Sequence, residues 1–263
     1  MVLVPSGKRP KESNIKLVIE YDGKNYFGWQ KQKNKPSIQE TIENSLLVLF
    51  PNTKIKLTGA GRTDAGVHAL NQAANFKIDM RLLEKKKFVD MNRLVNSLNA
   101  LLPGDISIKS AKIVNMDFHA RYSARKRVYK YLISFRKKSF NGDKYYHLKT
   151  KFDIDLAKEF CKILIGRHSF RSMCKNKSDK HSFMSDVYYA SVKKRSGEEG
   201  VIVFEICASR FLHSMVRAIV GVMIKIASGS ITVEEFKTKF LKGEQLRIQY
   251  VPSNALILDK IIY

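Results

Sequence analysis

The chain has 263 residues, enough for one large core or two smaller ones, and its 44% apolar content is that of an ordinary globular protein. Its 48 Lys and Arg against 24 Asp and Glu leave a formal charge of +24, an excess that attracts phosphate polymers and makes binding salt-dependent. The longest apolar run, residues 218–224, is too short to span a bilayer, the N-terminus lacks the apolar core of a secretory leader, and Cys161, Cys174 and Cys207 have no metal-ligand or redox spacing. A cytoplasmic protein with reduced cysteines, no membrane partner and no metal is the expectation.

Residues 1–13, with Pro5, Gly7, Lys8, Arg9, Pro10 and Lys11, read as a disordered basic arm. Residues 15–21 alternate as a strand does. Residues 37–50 read as a helix, opened by a Ser37/Glu40 capping box before the apolar face Ile38, Ile42, Leu46 and Leu49. Two strands are expected near 54–58 and 70–78, a helix over 90–102 that stops at Pro103-Gly104, and a strand over 106–114. This β-α-β-β-α-β order is the split βαβ, or ferredoxin-like, motif. The second half repeats it: a strand over 128–135, a helix over 153–165, a hairpin of 185–194 and 201–208, helices over 211–227 and 232–241, and a strand over 256–262. The expected architecture is α+β, with halves at 14–115 and 116–263 whose sheets run together across the middle.

Between the strands at 54–58 and 70–78 lies GAGRTDAGVH, residues 59–68. Gly59, Gly61 and Gly66 allow a sharp turn and close approach of the backbone to a ligand. Arg62 stands two residues before Asp64 and can hold it through a charge-assisted pair. The junction FHARYSARKRVYKY, residues 118–131, interleaves aromatics with cations, as grips on unpaired RNA bases do. Alternation puts Tyr129 and Tyr131 on one face and Lys130 on the other, a pattern that also suits strand aromatics packed on a helix. In RFLHSMVRAIVG, residues 210–221, Arg217 interrupts an apolar helix, with His213 one turn earlier. A buried arginine needs an anion, which could be a structural carboxylate, Asp64 or a substrate phosphate. His213 carries no assigned chemistry.

The GAGRTDAGVH loop closely resembles the catalytic signature of the TruA family of tRNA pseudouridine synthases. EYDGKNYFGWQ (20–30), LPGDI (102–106), the junction, GRHSF (166–170) and RFLHSMVRAIVG resemble its other landmarks, in order and over nearly the whole chain. The resemblance implies the pseudouridine synthase fold of two tandem ferredoxin-like halves, with a largely antiparallel sheet and helices on one side. It implies isomerisation of uridines at positions 38, 39 and 40 of the tRNA anticodon arm, without a cofactor, by a homodimer. By the same resemblance Asp64 is the catalytic nucleophile, and Arg62 its ion-pair and strand-insertion partner. Tyr129 stacks on the target base, Arg217 helps hold the aspartate, and Leu256 lines the pocket. Ser214, Ala218, Ala255 and the stretch after Phe170, with its Lys-rich loop to His181, depart from the usual pattern. None of them is expected to touch Asp64, Arg62 or Tyr129.

The chemistry suits these residues. The N1–C1′ bond must break and the uracil rejoin through C5. A carboxylate can stabilise charge at C1′, attack the sugar or take a sugar proton. The base must also leave its stack. A non-catalytic RNA-binding protein or tRNA chaperone on the same fold is the competing reading, which shares the charge and aromatics but has no use for the Asp64 loop.

Overall fold

The computed structural model describes residues 12–175 and 182–263. The proposed arm thus lies outside the described residues up to position 11, as does much of the Lys-rich loop. Glu12 and Ser13 already belong to the first strand. The first half runs β1 (Glu12–Tyr21), α1 (Ile38–Leu49), β2 (Thr58–Gly59), β3 (His68–Asp79), α2 (Met80–Lys85), α3 (Met91–Leu101) and β4 (Ile106–Val114). The second runs β5 (Lys126–Ser134), β6 (Tyr146–His147), α4 (Ile154–Leu164), β7 (Gly166–Ser169), β8 (Met184–Lys194), β9 (Val201–Ala208), α5 (Met215–Ala227), α6 (Val233–Leu241) and β10 (Leu256–Ile262).

Among the described residues, the strands form one sheet in the order β4-β1-β3-β10-β5-β9-β8-β7, with β2 also on β3 and β6 on β5. Each half has the same internal order. β4-β1-β3-β2 and β10-β5-β9-β8 are both fourth-first-third-second, the ferredoxin-like arrangement. Most pairings are antiparallel. The halves join where β10 pairs in parallel with the start of β3, Ile257 opposite His68 and Leu258 opposite Ala69. β2 uses the same edge of β3 farther along, at Asn75 and Ala74. The β2–β3 loop, residues 60–67, therefore opens at the seam between the halves.

One face of the sheet carries the core. Ile15, Leu17 and Ile19 of β1 and Tyr129, Tyr131 and Ile133 of β5 pack in a single cluster with buried residues of α1, α3, α4, α5 and α6. Lys130 points the other way, to Asp259 at 3.0 Å and Glu205 at 3.5 Å. Alternation along β5 thus sorts aromatics from the cation as the pleat requires.

Local signals set most helix starts. Ser37, Asp79, Asp90, Asp153 and Thr232 each accept a first-turn backbone N–H. The expected Ser37/Glu40 capping box forms only its first half, the Glu40 carboxylate pairing with Lys31; at the start of α6 the carboxylate of Glu235 likewise pairs with Lys239. The strand expected over 54–58 shrinks to β2. Leu57 gives its N–H to Glu43 Oε1 at 2.9 Å and its carbonyl to Gln39 Nε2 at 3.0 Å, so α1 takes the backbone groups that β3 would have used. The helix expected from 211 begins instead at Met215, because Ser214 adopts φ +57°. The pieces β6, β7 and α2 are short and had no distinct periodicity in sequence.

Two polar clamps fix the junction. The buried side chains of Asn14 and Asn75 bind each other at 2.9 Å and hold the backbone of residues 115, 118 and 120. Arg127 donates to the carbonyls of Ala60, Arg121, Ala124 and Ser209 at 2.7–3.1 Å. It ties the aspartate loop to the junction and to the end of β9.

Candidate active site

The loop carrying Asp64 is shaped by the segment over 20–30. Trp29 N–H donates to Thr63 O at 3.2 Å, Gly66 N–H to Tyr26 O at 3.2 Å, and Tyr21 Oη and Thr63 Oγ1 lie 2.8 Å apart. Contact is so close that a Cβ on Gly28 would stand 2.4 Å from Thr63 O, and one on Gly23 would stand 2.0 Å from Val67 O. Gly66, at φ +76°, then turns the chain into β3. Gly61 meets neither demand: nothing lies within 4 Å of the Cβ it would carry.

This turn aims Asp64 at the start of α5. Asp64 Oδ2 accepts from Ser214 Oγ at 2.7 Å and from Arg217 Nη1 at 3.2 Å. Its other oxygen, Oδ1, lies 3.7 Å from His213 Nε2. The carboxylate keeps 24% of its side-chain surface open, against 16% for Arg217. Arg217 is fixed from behind, Nε donating to Val251 O at 2.8 Å. That close packing of the 249–251 segment requires Gly221, where a Cβ would fall 1.9 Å from Gln249 O.

Of the residues expected at the site, Asp64 and Arg217 come into direct contact. Tyr129 is buried beside them, edge-on to Phe211 with ring centroids 5.0 Å apart. Burial above all, with the Asp64 charge adding to it, pushes the Tyr129 phenol far above its ordinary range. Leu256 is buried at the start of β10, opposite Tyr131. Arg62 corrects the expectation: its Nε donates to Gln30 Oε1 at 3.1 Å and its side chain is exposed, while Arg217 supplies the ion pair to Asp64. The turn through Gly66 sends Asp64 toward α5 and leaves Arg62 outside it. Ser214 is a second correction, because it touches Asp64 directly. Read as mid-helix it gave no sign of this; as the residue before the helix, three ahead of Arg217, its position is that of an N-cap.

Residues 17–123 and 160–263 match the sequence model of a family described as tRNA pseudouridine synthase. The chain belongs to this family. The synthase is 41% identical over 259 residues to tRNA pseudouridine synthase A of Caldicellulosiruptor bescii, an alignment covering 95% of this chain and 99% of the relative. It is 36% identical over 253 residues to the protein of that name in Acetivibrio thermocellus (95% and 99% covered) and 38% over 249 residues in Borrelia turicatae (93% and 97%). It is thus an isomerase of tRNA uridine.

Cys161, Cys174 and Cys207 are buried, and burial pushes the Cys161 thiol up to about 12. Among the described residues no group of three or more His, Cys, Asp or Glu is placed to hold a metal ion. None of the described helices is long and apolar enough to cross a membrane.

Proposed function

We propose that the synthase converts uridine to pseudouridine at positions 38, 39 and/or 40 of the tRNA anticodon arm, with Asp64 as the catalytic carboxylate. The observation that carries this reading is the placement of Asp64. It is a partly open carboxylate at the seam of two basic halves, held on one oxygen by Arg217 and near enough to the buried Tyr129 for its charge to act on the phenol. The resemblance of residues 59–68 to the TruA signature supports the range of target positions. Division into halves at 14–115 and 116–263 is supported by the strand order repeated in each.

In this reading the phosphates of the anticodon stem-loop bind the cationic surface, and the target nucleotide is extruded to bring its ribose to Asp64. Arg62, exposed beside the loop, takes the space the base vacates. Tyr129 stacks on the extruded uracil, and Leu256 closes the pocket behind it. Arg217 keeps the carboxylate aimed. The uracil then separates at N1–C1′, turns within the pocket and rejoins at C5; the C5 proton is lost to solvent and N1 takes one up, so composition is unchanged and nothing is oxidised. The synthase acts as a cytoplasmic homodimer, the state the resemblance implies, which light scattering of the purified protein tests.

The decisive experiment pairs the parent with Asp64→Asn. The expected result is that tRNA affinity persists while tritium release from C5-labelled uridine stops. Release at the parent rate in the variant rules out Asp64, and pseudouridine mapped outside positions 38–40 rules out the assigned targets.

A further inference from the structure

Among the described α-helices, Ser214 is the one N-terminal capping position whose side chain does not cap. Ser37, Asp79, Asp90, Asp153 and Thr232 all precede their helices in extended backbone and accept a first-turn N–H. Ser214 precedes α5 at φ +57°, ψ +16°, makes no side-chain cap, and is 7% exposed. The left-handed region is costly for a residue bearing a Cβ, and a serine that forgoes its cap gives up a stabilising bond as well. Both costs yield one contact, the 2.7 Å hydrogen bond from Ser214 Oγ to Asp64 Oδ2.

That bond distinguishes the two carboxylate oxygens. Oδ2 accepts from both Ser214 and Arg217. Oδ1 accepts no hydrogen bond among the described residues; the exposed ring of His213 approaches it with Nε2 at 3.7 Å, beyond hydrogen-bond reach. Held by two donors on one side, the carboxylate cannot rotate to exchange its oxygens without breaking both bonds. Oδ1 keeps its lone pairs clear of both donors.

We infer that Ser214 is a positioning residue that, together with Arg217, locks Asp64 Oδ2 so that Oδ1 is the oxygen presented to the ribose. This rests on Asp64 being the catalytic carboxylate. It does not depend on whether that oxygen attacks carbon or takes a proton, since each step needs one oxygen held in a fixed direction.

Three Ser214 variants and Asp64→Asn test the assignment on folded protein with full-length tRNA substrate. Ser214→Gly removes the hydroxyl and relieves the left-handed backbone, so thermal stability should hold or rise. Its kcat should fall roughly 10- to 100-fold, the range for a lost hydrogen bond to a charged group, with KM for tRNA unchanged. Ser214→Ala should lose kcat to the same degree. Ser214→Asn, which tolerates the left-handed region and carries an amide donor, should recover part of it. A merely structural serine would move stability and activity together, so opposite signs in the glycine variant identify positioning. A kcat within about threefold of the parent in Ser214→Gly, or a loss confined to KM, overturns the proposal while Asp64→Asn stays inactive. Activity in Asp64→Asn overturns the functional reading itself.

Discussion

Gly221→Ala is expected to weaken the fold and slow the reaction together, against the ordinary sign of a glycine-to-alanine change in a helix. In an exposed helix interior that change stabilises by roughly 1 kcal/mol. At Gly221 the new Cβ would lie 1.9 Å from the carbonyl oxygen of Gln249, so α5 and the 249–251 segment must separate by about 1.1 Å merely to reach 3.0 Å. The obstacle is backbone, which cannot swing aside as a side-chain tip can. Overpacking of this kind costs typically 1–3 kcal/mol, and a forced backbone shift belongs at the upper end. After the propensity gain, the net loss is about 2 kcal/mol, or roughly 4–8 °C in melting temperature for a chain of this size. The displacement also reaches the site. If the segment moves, Val251 O leaves Arg217 Nε; if α5 moves, Arg217 Nη1 and Ser214 Oγ leave Asp64. A misplacement of about 1 Å near reacting groups costs on the order of 100-fold in rate. Urea or thermal unfolding gives the first quantity, and single-turnover pseudouridine formation gives the second. Gly61→Ala is the control, since its Cβ meets nothing within 4 Å. A Gly221→Ala protein as stable as the parent and fully active would refute the packing argument and the link from this segment to Arg217.

Arg62→Ala should leave stability within about 0.5 kcal/mol, because the side chain is exposed and among the described residues donates only to Gln30, yet lower kcat/KM for tRNA at least roughly tenfold. An activity loss that disappears once unfolded protein is discounted would remove Arg62 from the site. In alkali, Tyr21, Tyr129 and Tyr131 resist ionisation in the fold, chiefly through burial, whereas in the unfolded chain they ionise near 10. Their raised folded values make a stabilising contribution that is fully present below pH 10. Above it, that contribution is lost at about 4 kcal/mol per pH unit for the three together. Phenolate absorbance from these rings should therefore appear only in step with loss of far-ultraviolet circular dichroism. Their ionisation in protein that keeps its native spectrum would contradict the burial assigned to them.

Much of the fold was legible because its determinants are local. The caps at Ser37, Asp90, Asp153 and Thr232 act within three residues, and alternation along β4, β5 and β10 needs no knowledge of the partner strand. The aspartate loop was legible as well, since glycine spacing and the Arg-x-Asp string are contiguous. The partner of Asp64 was a different matter. Arg62 is two residues away and was the natural candidate, yet Ser214 and Arg217, separated from Asp64 by 150 and 153 residues, hold the carboxylate. Those distances close across the seam where β10 joins β3 in parallel, a pairing that leaves no mark on either sequence.

The sequence by itself determined the two α+β halves, the excess of positive charge and the aspartate loop, because periodicity, charge and a contiguous motif are properties of the chain. Tertiary structure alone decided which cation faces Asp64, where α5 begins and which carboxylate oxygen stays free. Each of these depends on how two distant backbones approach, through Gly28 against Thr63 and Gly221 against Gln249. Such contacts are fixed by the packing of the whole sheet and its helices, and a local reading of residues does not contain them.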